Sequence, residues 1–273
     1  MEKDTKHIIS FGCGVQTVAL VLLNIHRDDR LKKVIGVDFA ECAIFADTQW
    51  EKSATYEYFK WFRTFCNRHN FKIHLVSAGD LRTDALNNKD RFASMPLFTA
   101  RNDGEVGMLR RQCTREYKVA PVDKKIRELC HIKPKHRMTA KINLWFGITI
   151  DEIERMKDAR EKWKTKVYPF VEMRWTRVDC KNYLIGHNIP IPPKSSCIGC
   201  PFHDNYQWLD LKHNSNGDWN DAVDFDRRIR NLTKKGVKQP AYLHRQVVPL
   251  DEANLNENQC DLFRSECEGM CGV

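Results

Sequence analysis

The sequence lacks any run of eighteen apolar residues, which is the length that a membrane-spanning helix needs. The opening residues Met1-Glu-Lys-Asp-Thr-Lys6 lack the apolar segment of a signal peptide. Internal repeats and low-complexity linkers are also missing. These absences lead us to expect a soluble, cytoplasmic protein with no membrane partner.

Acidic residues are too few to balance the basic ones. The chain has 36 Asp and Glu residues and 45 Lys and Arg residues, which gives a formal net charge of +9. Such an excess fits a polyanionic partner, either nucleic acid or a phosphate-rich small molecule. The alternative is a basic surface that is merely solvated.

Cysteine is abundant, but a disulfide framework is not expected, because the cytosol keeps thiols reduced. Eleven cysteines occur in 273 residues. Four of them lie in apolar or helical stretches and are interpreted as buried or bystander thiols: Cys13, Cys42, Cys66 and Cys130. The other seven need an explanation.

Cys113 and the pair Cys197-Ile-Gly-Cys200 predict a metal centre. A Cys-x-x-Cys turn places two thiolates on one side of a tight loop, where both can bind one metal. Cys113 is surrounded in sequence by basic residues, including Arg111 and Lys118, which would stabilise its thiolate. Two interpretations stay open: a three-thiolate cluster with one open position, or a structural zinc completed by a fourth cysteine.

Strand and helix patterns alternate along the chain and predict an α/β fold with a doubly wound parallel sheet of about five strands. Buried strands are predicted at 7–11, 42–46, 71–76 and 142–147. Helices are predicted at 15–25, 53–69, 113–129 and from the capping box at Thr149 to about residue 164. We expect a nucleotide-binding domain at 1–165, with a cysteine-rich C-terminal region at 166–273 packed on it.

A glycine-rich segment, Ser10-Phe-Gly-Cys-Gly-Val-Gln-Thr17, lies where the first predicted strand ends and the first predicted helix begins. Gly12 and Gly14 permit positive φ and close backbone approach, and the helix N-terminus offers N–H groups to an anion. The hydroxyls of Ser10 and Thr17 are further donors to a phosphate. An ordinary strand–helix turn is the alternative.

Asp47 and Thr48 end the second strand. Ligands of open α/β sheets bind beyond the carboxyl ends of strands, so this segment and the glycine-rich loop are expected to face one crevice. Asp47 is a candidate ligand for Mg²⁺ or a ribose, with capping of a helix as the alternative role.

Taken together, these motifs resemble the phosphoadenosine phosphosulfate (PAPS) reductase family of the PP-loop ATP pyrophosphatase superfamily, whose fold is called adenine nucleotide alpha-hydrolase-like. The resemblance rests on Ser10–Thr17, on Phe45-Ala-Asp-Thr-Gln-Trp-Glu51, on Arg111-Gln-Cys-Thr-Arg-Glu-Tyr-Lys-Val-Ala-Pro-Val122 and on Gly147-Ile-Thr-Ile-Asp-Glu-Ile-Glu-Arg155. It covers most of the chain to about residue 230. Gln49 replaces the glycine of the usual Asp-Thr-Gly.

The resemblance implies a site for ATP or another adenine nucleotide, with Mg²⁺. The residues implied in nucleotide binding are Ser10, Gly12, Gly14, Gln16, Thr17, Asp47, Thr48, Gly147, Arg111 and Lys118. Arginines beside Cys113 would clamp phosphate or sulfate.

The resemblance also implies a 4Fe–4S cluster, with zinc as the alternative. Iron–sulfur reductases of the family use a Cys-Cys pair before the Cys-x-x-Cys, but Thr114 stands here in place of the second cysteine. Three ligands therefore carry over, Cys113, Cys197 and Cys200, and Cys271 of the C-terminal tail is the candidate fourth. Relatives that thiolate tRNA use three cysteine ligands.

Three functions remain open at this stage. The preferred one is ATP-dependent adenylation of a nucleic acid or nucleobase derivative followed by sulfur transfer, with Cys113 and Asp47 as catalytic residues and a separate sulfur donor. The first alternative is a reductase of adenylyl sulfates, in which Cys267 attacks sulfur and a thiol reductant releases sulfite; Gln16, where ATP-cleaving relatives usually carry Asp, favours it. The second is a zinc-stabilised nucleic-acid-binding protein.

A homodimer is one expectation for the oligomeric state.

Overall fold

A computed structural model describes residues 5–36, 39–86, 95–100, 104–232 and 237–256. The strands are β1 (Thr5–Phe11), β2 (Cys42–Asp47), β3 (Lys72–Ser77), β4 (Phe98–Ala100), β5 (Val106–Met108), β6 (Lys141–Trp145), β7 (Lys164–Val167) and β8 (Ala241–Tyr242). The α-helices are α1 (Val15–Ile25), α2 (Asp29–Ile35), α3 (Ser53–Arg68), α4 (Leu81–Leu86), α5 (Ala120–Leu129), α6 (Pro169–Glu172), α7 (Arg177–Gly186), α8 (Asn205–Asn214) and α9 (Asn216–Arg228). There are also a π-helical turn (Thr114–Val119) and a short 3₁₀ helix (Ile150–Arg155).

Five strands form the central sheet in the order β3-β2-β1-β6-β7, and every neighbouring pair is parallel. Apolar residues of its strands alternate between two faces, as the pleat requires. Ile9, Phe11 and Phe45 pack with α1, α3 and α7, whereas Ile8 and Ile44 pack with α5 on the other face. The predicted α/β class with a doubly wound parallel sheet is confirmed.

Helix α1 is predominantly apolar, with Gln16, Thr17 and Asn24 as its polar residues, and it is buried along almost its entire length. It lies between the sheet and α7. A helix with no polar face is stable only when it is enclosed in this way. This burial fixes the start of α1, and with it the glycine-rich turn that precedes it.

A second, three-stranded antiparallel sheet has the order β5-β4-β8. It borders a third apolar cluster, formed mainly by α4, α8 and α9 around Trp50 and Trp208. Its strands are two or three residues long, which is too short for alternation to predict them. The tail after residue 256, with Cys267 and Cys271, lies outside the described residues.

The predicted helix from Thr149 to about residue 164 is wrong. Residues Ile150–Arg155 form a short 3₁₀ helix in which Glu152 leaves the helical backbone region, and Thr149 makes no side-chain cap. Strand β7 follows and completes the sheet beside β6. Pairing with a buried sheet outweighs the local helix propensity of this charged segment. The strand also crosses residue 165, where the domain boundary was predicted.

The helical prediction for 113–129 is confirmed in outline. A π-helical turn (Thr114–Val119) leads directly into α5, and Pro121 occupies the first turn of α5. Because proline has no N–H, the helical hydrogen-bond pattern is interrupted where the π-helical turn meets α5. None of the helices in the described ranges is long and apolar enough to cross a membrane.

Candidate functional site

The glycine-rich turn joins β1 to α1. Gly14 is extended and caps α1, while the positive φ of the turn, 59°, falls on Cys13 rather than on a glycine. The Thr17 hydroxyl lies 3.2 Å from both the Gly14 nitrogen and the Gly14 carbonyl oxygen. Thr17 therefore stabilises the turn itself.

Gly147, at the end of β6, lies against this turn. A Cβ added there would come within 3.0 Å of Thr17 N and of the Gln16 carbonyl carbon. Only glycine allows this approach. The structure thus brings together the predicted residues Gly147, Gln16 and Thr17.

The side chain of Gln16 is buried and turned toward the 3₁₀ helix. Its Nε2 donates to Glu152 Oε2 at 3.2 Å, and its Oε1 accepts from Arg177 Nη1 at 3.3 Å. The amide of Gln16 therefore has a structural role that links α1, the 3₁₀ helix and α7.

A cavity lies at the carboxyl ends of β1 and β2, where the topology of an open α/β sheet predicts a ligand site. Its polar lining consists of Ser10, Gly12, Glu51, Lys118 and Ser195. Apolar residues of the two strands and of α5 complete the wall. This lining agrees with the prediction that the loop after β1 and the segment after β2 face one crevice. Glu51 is the residue after β2 that lines the cavity.

Asp47 and Thr48 have different surroundings. Asp47 Oδ1 accepts from the Gln49 N–H and the Tyr56 hydroxyl, both at 2.7 Å. Thr48 donates to Glu51 Oε1 at 3.1 Å, and its hydroxyl lies 3.4 Å from Cys197 Sγ. Asp47 as a Mg²⁺ ligand remains a prediction, while Thr48 lies beside a candidate metal-binding thiol.

The Cys-x-x-Cys loop is docked onto the segment that follows β2. Glu51 and Cys197 form an isolated antiparallel bridge, and Ile198 N donates to Trp50 O at 2.9 Å. Cys197 Sγ lies 3.6 Å from Glu51 Oε1. The thiol is thereby held against the same carboxylate that lines the cavity.

Cys113 approaches this loop from the other side. It precedes the π-helical turn, and the guanidinium of Arg111 lies 5.1 Å from the ring centroid of Phe202, two residues after Cys200. Cys113 and Cys200 both pack against the apolar cluster that contains Cys197. The three predicted thiols therefore border the same apolar cluster.

Lys118 connects the Cys113 segment to the cavity. Its Nζ lies 3.6 Å from Glu51 Oε1, and both side chains are almost fully buried. The same oxygen atom of Glu51 thus contacts Thr48, Cys197 and Lys118. Removing either Glu51 or Lys118 would leave the charge of the other buried without this partner.

The donor set suits a thiolate-bound metal group in ligand type, because cysteine thiolates against an apolar wall are typical of iron–sulfur clusters and zinc. Across the described ranges, no three His, Cys, Asp or Glu side chains are arranged to hold one metal ion. The candidate fourth ligand Cys271 and the tail thiol Cys267 lie outside those ranges. The ligand set remains a prediction.

Ser195 and His203 lie on either side of the Cys-x-x-Cys motif. Ser195 lines the cavity, and His203 is buried with its Nε2 at 2.9 Å from Ser196 Oγ. Burial lowers the pKa of His203 well below its ordinary value of 6.5, and the charges of Lys52 and Lys194 lower it further. The position of Ser195 and His203 next to the Cys-x-x-Cys motif was the only feature of the sequence that pointed to a place in the site.

The structure is that of an α/β protein with a cavity at the carboxyl edge of a parallel sheet. No family model and no curated protein matches the chain. Among solved structures, it is similar to the U34-tRNA thiolase NcsA from Methanococcus maripaludis with its 4Fe-4S cluster. The match has 11% identity and a TM-score of 0.40, and covers 82% of this chain and 72% of that one.

Proposed function

We propose that this protein catalyses adenine-nucleotide-dependent sulfur transfer to a nucleic acid or nucleobase derivative. The observation that carries the proposal is the position of Glu51. Its carboxylate lines the cavity with Ser10 and Gly12 of the glycine-rich turn, and it contacts Cys197 at 3.6 Å. Glu51 therefore connects the cavity at the glycine-rich turn with a candidate sulfur-handling thiol.

The nucleotide phosphates are proposed to bind at the turn before α1. The Ser10 hydroxyl, the backbone of Gly12 and the N-terminal N–H groups of α1 are the donors, and the positive end of the helix favours an anion. Lys118, on the opposite side of the same cavity, adds a buried cation. Charge that develops on the phosphates during reaction would be stabilised by these fixed groups.

The proposed reaction has two displacement steps. A carbonyl oxygen of the acceptor attacks the α-phosphorus of ATP, the bond to the β-phosphate oxygen breaks, and pyrophosphate leaves. A donor of sulfur at the oxidation level of sulfide then forms a bond to the same acceptor carbon, and AMP leaves with the former carbonyl oxygen. Neither step changes the oxidation state of the acceptor carbon, and the proton of the sulfur donor is released to solvent or base.

Cys113, Cys197 and Cys200 are the residues that would hold an iron–sulfur cluster, which when bound supplies a site for the sulfur to be transferred. The segment that carries each thiol has a fixed position. Glu51 and Thr48 orient Cys197, the Cys-x-x-Cys turn places Cys200 nearby, and Arg111 holds the Cys113 segment against Phe202.

The first test is iron, zinc and acid-labile sulfide content on anaerobically purified protein. About four irons and four sulfides per chain, with a broad band near 400 nm, are expected. Stoichiometric zinc without sulfide would overturn the proposal and favour a nucleic-acid-binding protein.

The second test is activity. The protein is expected to release pyrophosphate from ATP in the presence of a nucleic-acid acceptor and to incorporate sulfur. Cys113→Ala should retain pyrophosphate release while losing thiolation, whereas the control Cys130→Ala, at the end of α5, should retain both. Absence of pyrophosphate release with every nucleic acid tried would contradict the proposal.

Gln16 supports one second candidate, a reductase of an adenylyl sulfate. An amide stands here in place of the acidic residue that ATP-cleaving relatives carry, and the amide is bonded to Glu152 and Arg177. In this version a tail thiolate, Cys267, attacks the sulfur of the bound phosphosulfate, the S–O bond to the nucleotide breaks, and a thiol reductant releases sulfite. Sulfite production that persists in Cys267→Ser would rule this candidate out.

A further inference from the structure

A second pocket lies beside the first cavity, along the helical segment formed by the π-helical turn and α5. Four basic residues line it, together with Phe146 and one acidic residue, Glu161: Arg115, Arg160, Lys164 and Lys166. None of these residues contributes to the lining of the first cavity. The second pocket is therefore separate from the first cavity.

One helical segment separates the two pockets. Lys118 and Val122 face the first cavity, while Arg115 and Val119 face the second. Each residue lies three positions before its counterpart, so the two pockets occupy neighbouring sides of the same few helical turns. A ligand bound in the second pocket lies next to the wall of the first.

The charges of the second pocket are unequal. Lys164 is buried and neutralised, because its Nζ lies 2.8 Å from Asp123 and 3.2 Å from Glu161. Arg115 and Arg160 are exposed at the rim. Positive charge that is accessible to a ligand is therefore concentrated on the two arginines.

Lys166 adds a third cation deeper in the pocket. It is half-buried, and its Nζ lies 5.5 Å from the centroid of the Phe146 ring. Phe146 itself is 5% exposed, which leaves no open aromatic face for a base to stack on. The pocket is thus suited to an anion and poorly suited to a nucleobase.

We propose that this pocket binds the phosphodiester backbone of the nucleic-acid acceptor. Arginine guanidinium groups match phosphate oxygens in a bidentate geometry, and several such contacts along a strand fix its position without reading its sequence. The inference rests on the proposed function, since it places the acceptor strand next to the nucleotide cavity. A free nucleotide would need a slot for its base, which the buried Phe146 does not offer.

The test measures binding of a fluorescein-labelled RNA hairpin, without ATP, over a series of salt concentrations. Arg115→Gln and Arg160→Gln are compared with the matched controls Arg63→Gln and Arg68→Gln, which remove exposed arginines from α3 near the opposite edge of the sheet. Each pocket variant should weaken binding about threefold to tenfold and reduce the slope of log K against log salt by roughly 0.7–0.9 per lost phosphate contact. The controls should change neither quantity.

Pocket variants that bind the hairpin as tightly as the controls, with the same salt slope, would overturn the inference. Polyglutamate that competes as well as unlabelled RNA would also overturn it, because phosphate geometry would then be irrelevant. The outcome is separable from that for the proposed function. Arginine-dependent RNA binding without pyrophosphate release would contradict only the catalytic proposal, and arginine-independent binding with normal thiolation would contradict only the pocket assignment.

Discussion

The indole of Trp50 lies directly on the backbone of Gly199, inside the Cys-x-x-Cys loop. A Cβ added to Gly199 would stand 2.1 Å from Trp50 Cη2. The indole cannot easily give way, because its Nε1 donates to Asp221 at 2.5 Å and its ring packs against Phe225. The glycine between the two cysteines is therefore required by a neighbour that lies almost 150 positions earlier in the chain.

Gly199→Ala is expected to displace the cysteine loop from Trp50. Overpacking of this kind costs about 1–3 kcal/mol of unfolding free energy, and we expect a matching loss of bound metal. Chemical denaturation and metal analysis on the same preparation measure both effects. Gly186→Ala is the control, because nothing lies within 4 Å of a Cβ at that position, and its values should stay close to those of the parent protein. An unchanged Gly199→Ala protein would mean that the loop does not rest on the indole.

Gln49 adopts a φ of 57°, in the left-handed region, at the position where the resembled motif has glycine. Left-handed backbone costs a non-glycine residue about 1–2 kcal/mol. Gln49→Gly should therefore leave the unfolding free energy unchanged or raise it by up to about 1 kcal/mol, since part of the gain is lost to the freer unfolded chain. Gln49→Val, with a β-branched side chain, should lower it. Thermal unfolding of both variants checks the order, and the reverse order would contradict the backbone geometry.

Glu51 and Lys118 are expected to be energetically coupled. Removing one partner leaves the other as a buried charge, which typically costs about 3–5 kcal/mol, so Glu51→Gln and Lys118→Met should each be strongly destabilising. The double variant should lose less than the sum of the single losses, with a coupling energy of at least about 1 kcal/mol. Urea denaturation of all four proteins provides the cycle. Strict additivity would show that the 3.6 Å contact carries no energy.

The thiols should react in two classes in metal-free protein. Burial raises the pKa of Cys42 and Cys66 to about 12 and that of Cys13 further still, so their thiolate fractions are small. Cys113 and Cys200 are only half-buried. Iodoacetamide should label the half-buried pair at least about 100-fold faster than the buried three, as read by peptide mass spectrometry. Equal rates would contradict the burial of Cys13, Cys42 and Cys66.

His203 should make the protein less stable in mild acid. Its folded-state pKa lies well below 6.5, so below that pH the unfolded chain binds a proton that the folded chain does not. The unfolding free energy should fall by up to about 1.4 kcal/mol per pH unit as the pH decreases from about 6.5 toward the folded pKa. His203→Gln should lack this contribution, and the exposed His213→Gln should keep it. An identical pH profile for His203→Gln and the parent would refute the assignment.

The central sheet could be predicted because four of its strands are apolar runs that end in turn-forming residues. Strand β7 could not, since Lys164 and Lys166 give it the composition of an exposed helix. Its place is set by pairing with β6 and by the ion pair between Lys164 and Asp123. Such long-range compensation leaves no local signal in the sequence.

The motifs of the candidate site could be predicted from the sequence, but the contacts between its side chains could not. The glycine-rich turn and the cysteines stood out by residue type and spacing. The central role of Glu51 did not, because a glutamate beside a strand end is usually solvated, and only the docking of the Cys197 loop buries it. Likewise, nothing in the sequence around Gln16 indicates that Arg177 and Glu152 bind its amide.

The bridge between Glu51 and Cys197 closes a loop of 146 residues. The surface on which the cysteine loop docks consists of Trp50 and Glu51, which directly follow β2. The strands of the sheet can assemble without the cysteine loop, but the loop has no docking surface until they have done so. We therefore expect the Cys-x-x-Cys loop to reach its place only after the sheet has formed, so that any metal group bound by its thiols would be inserted late in maturation.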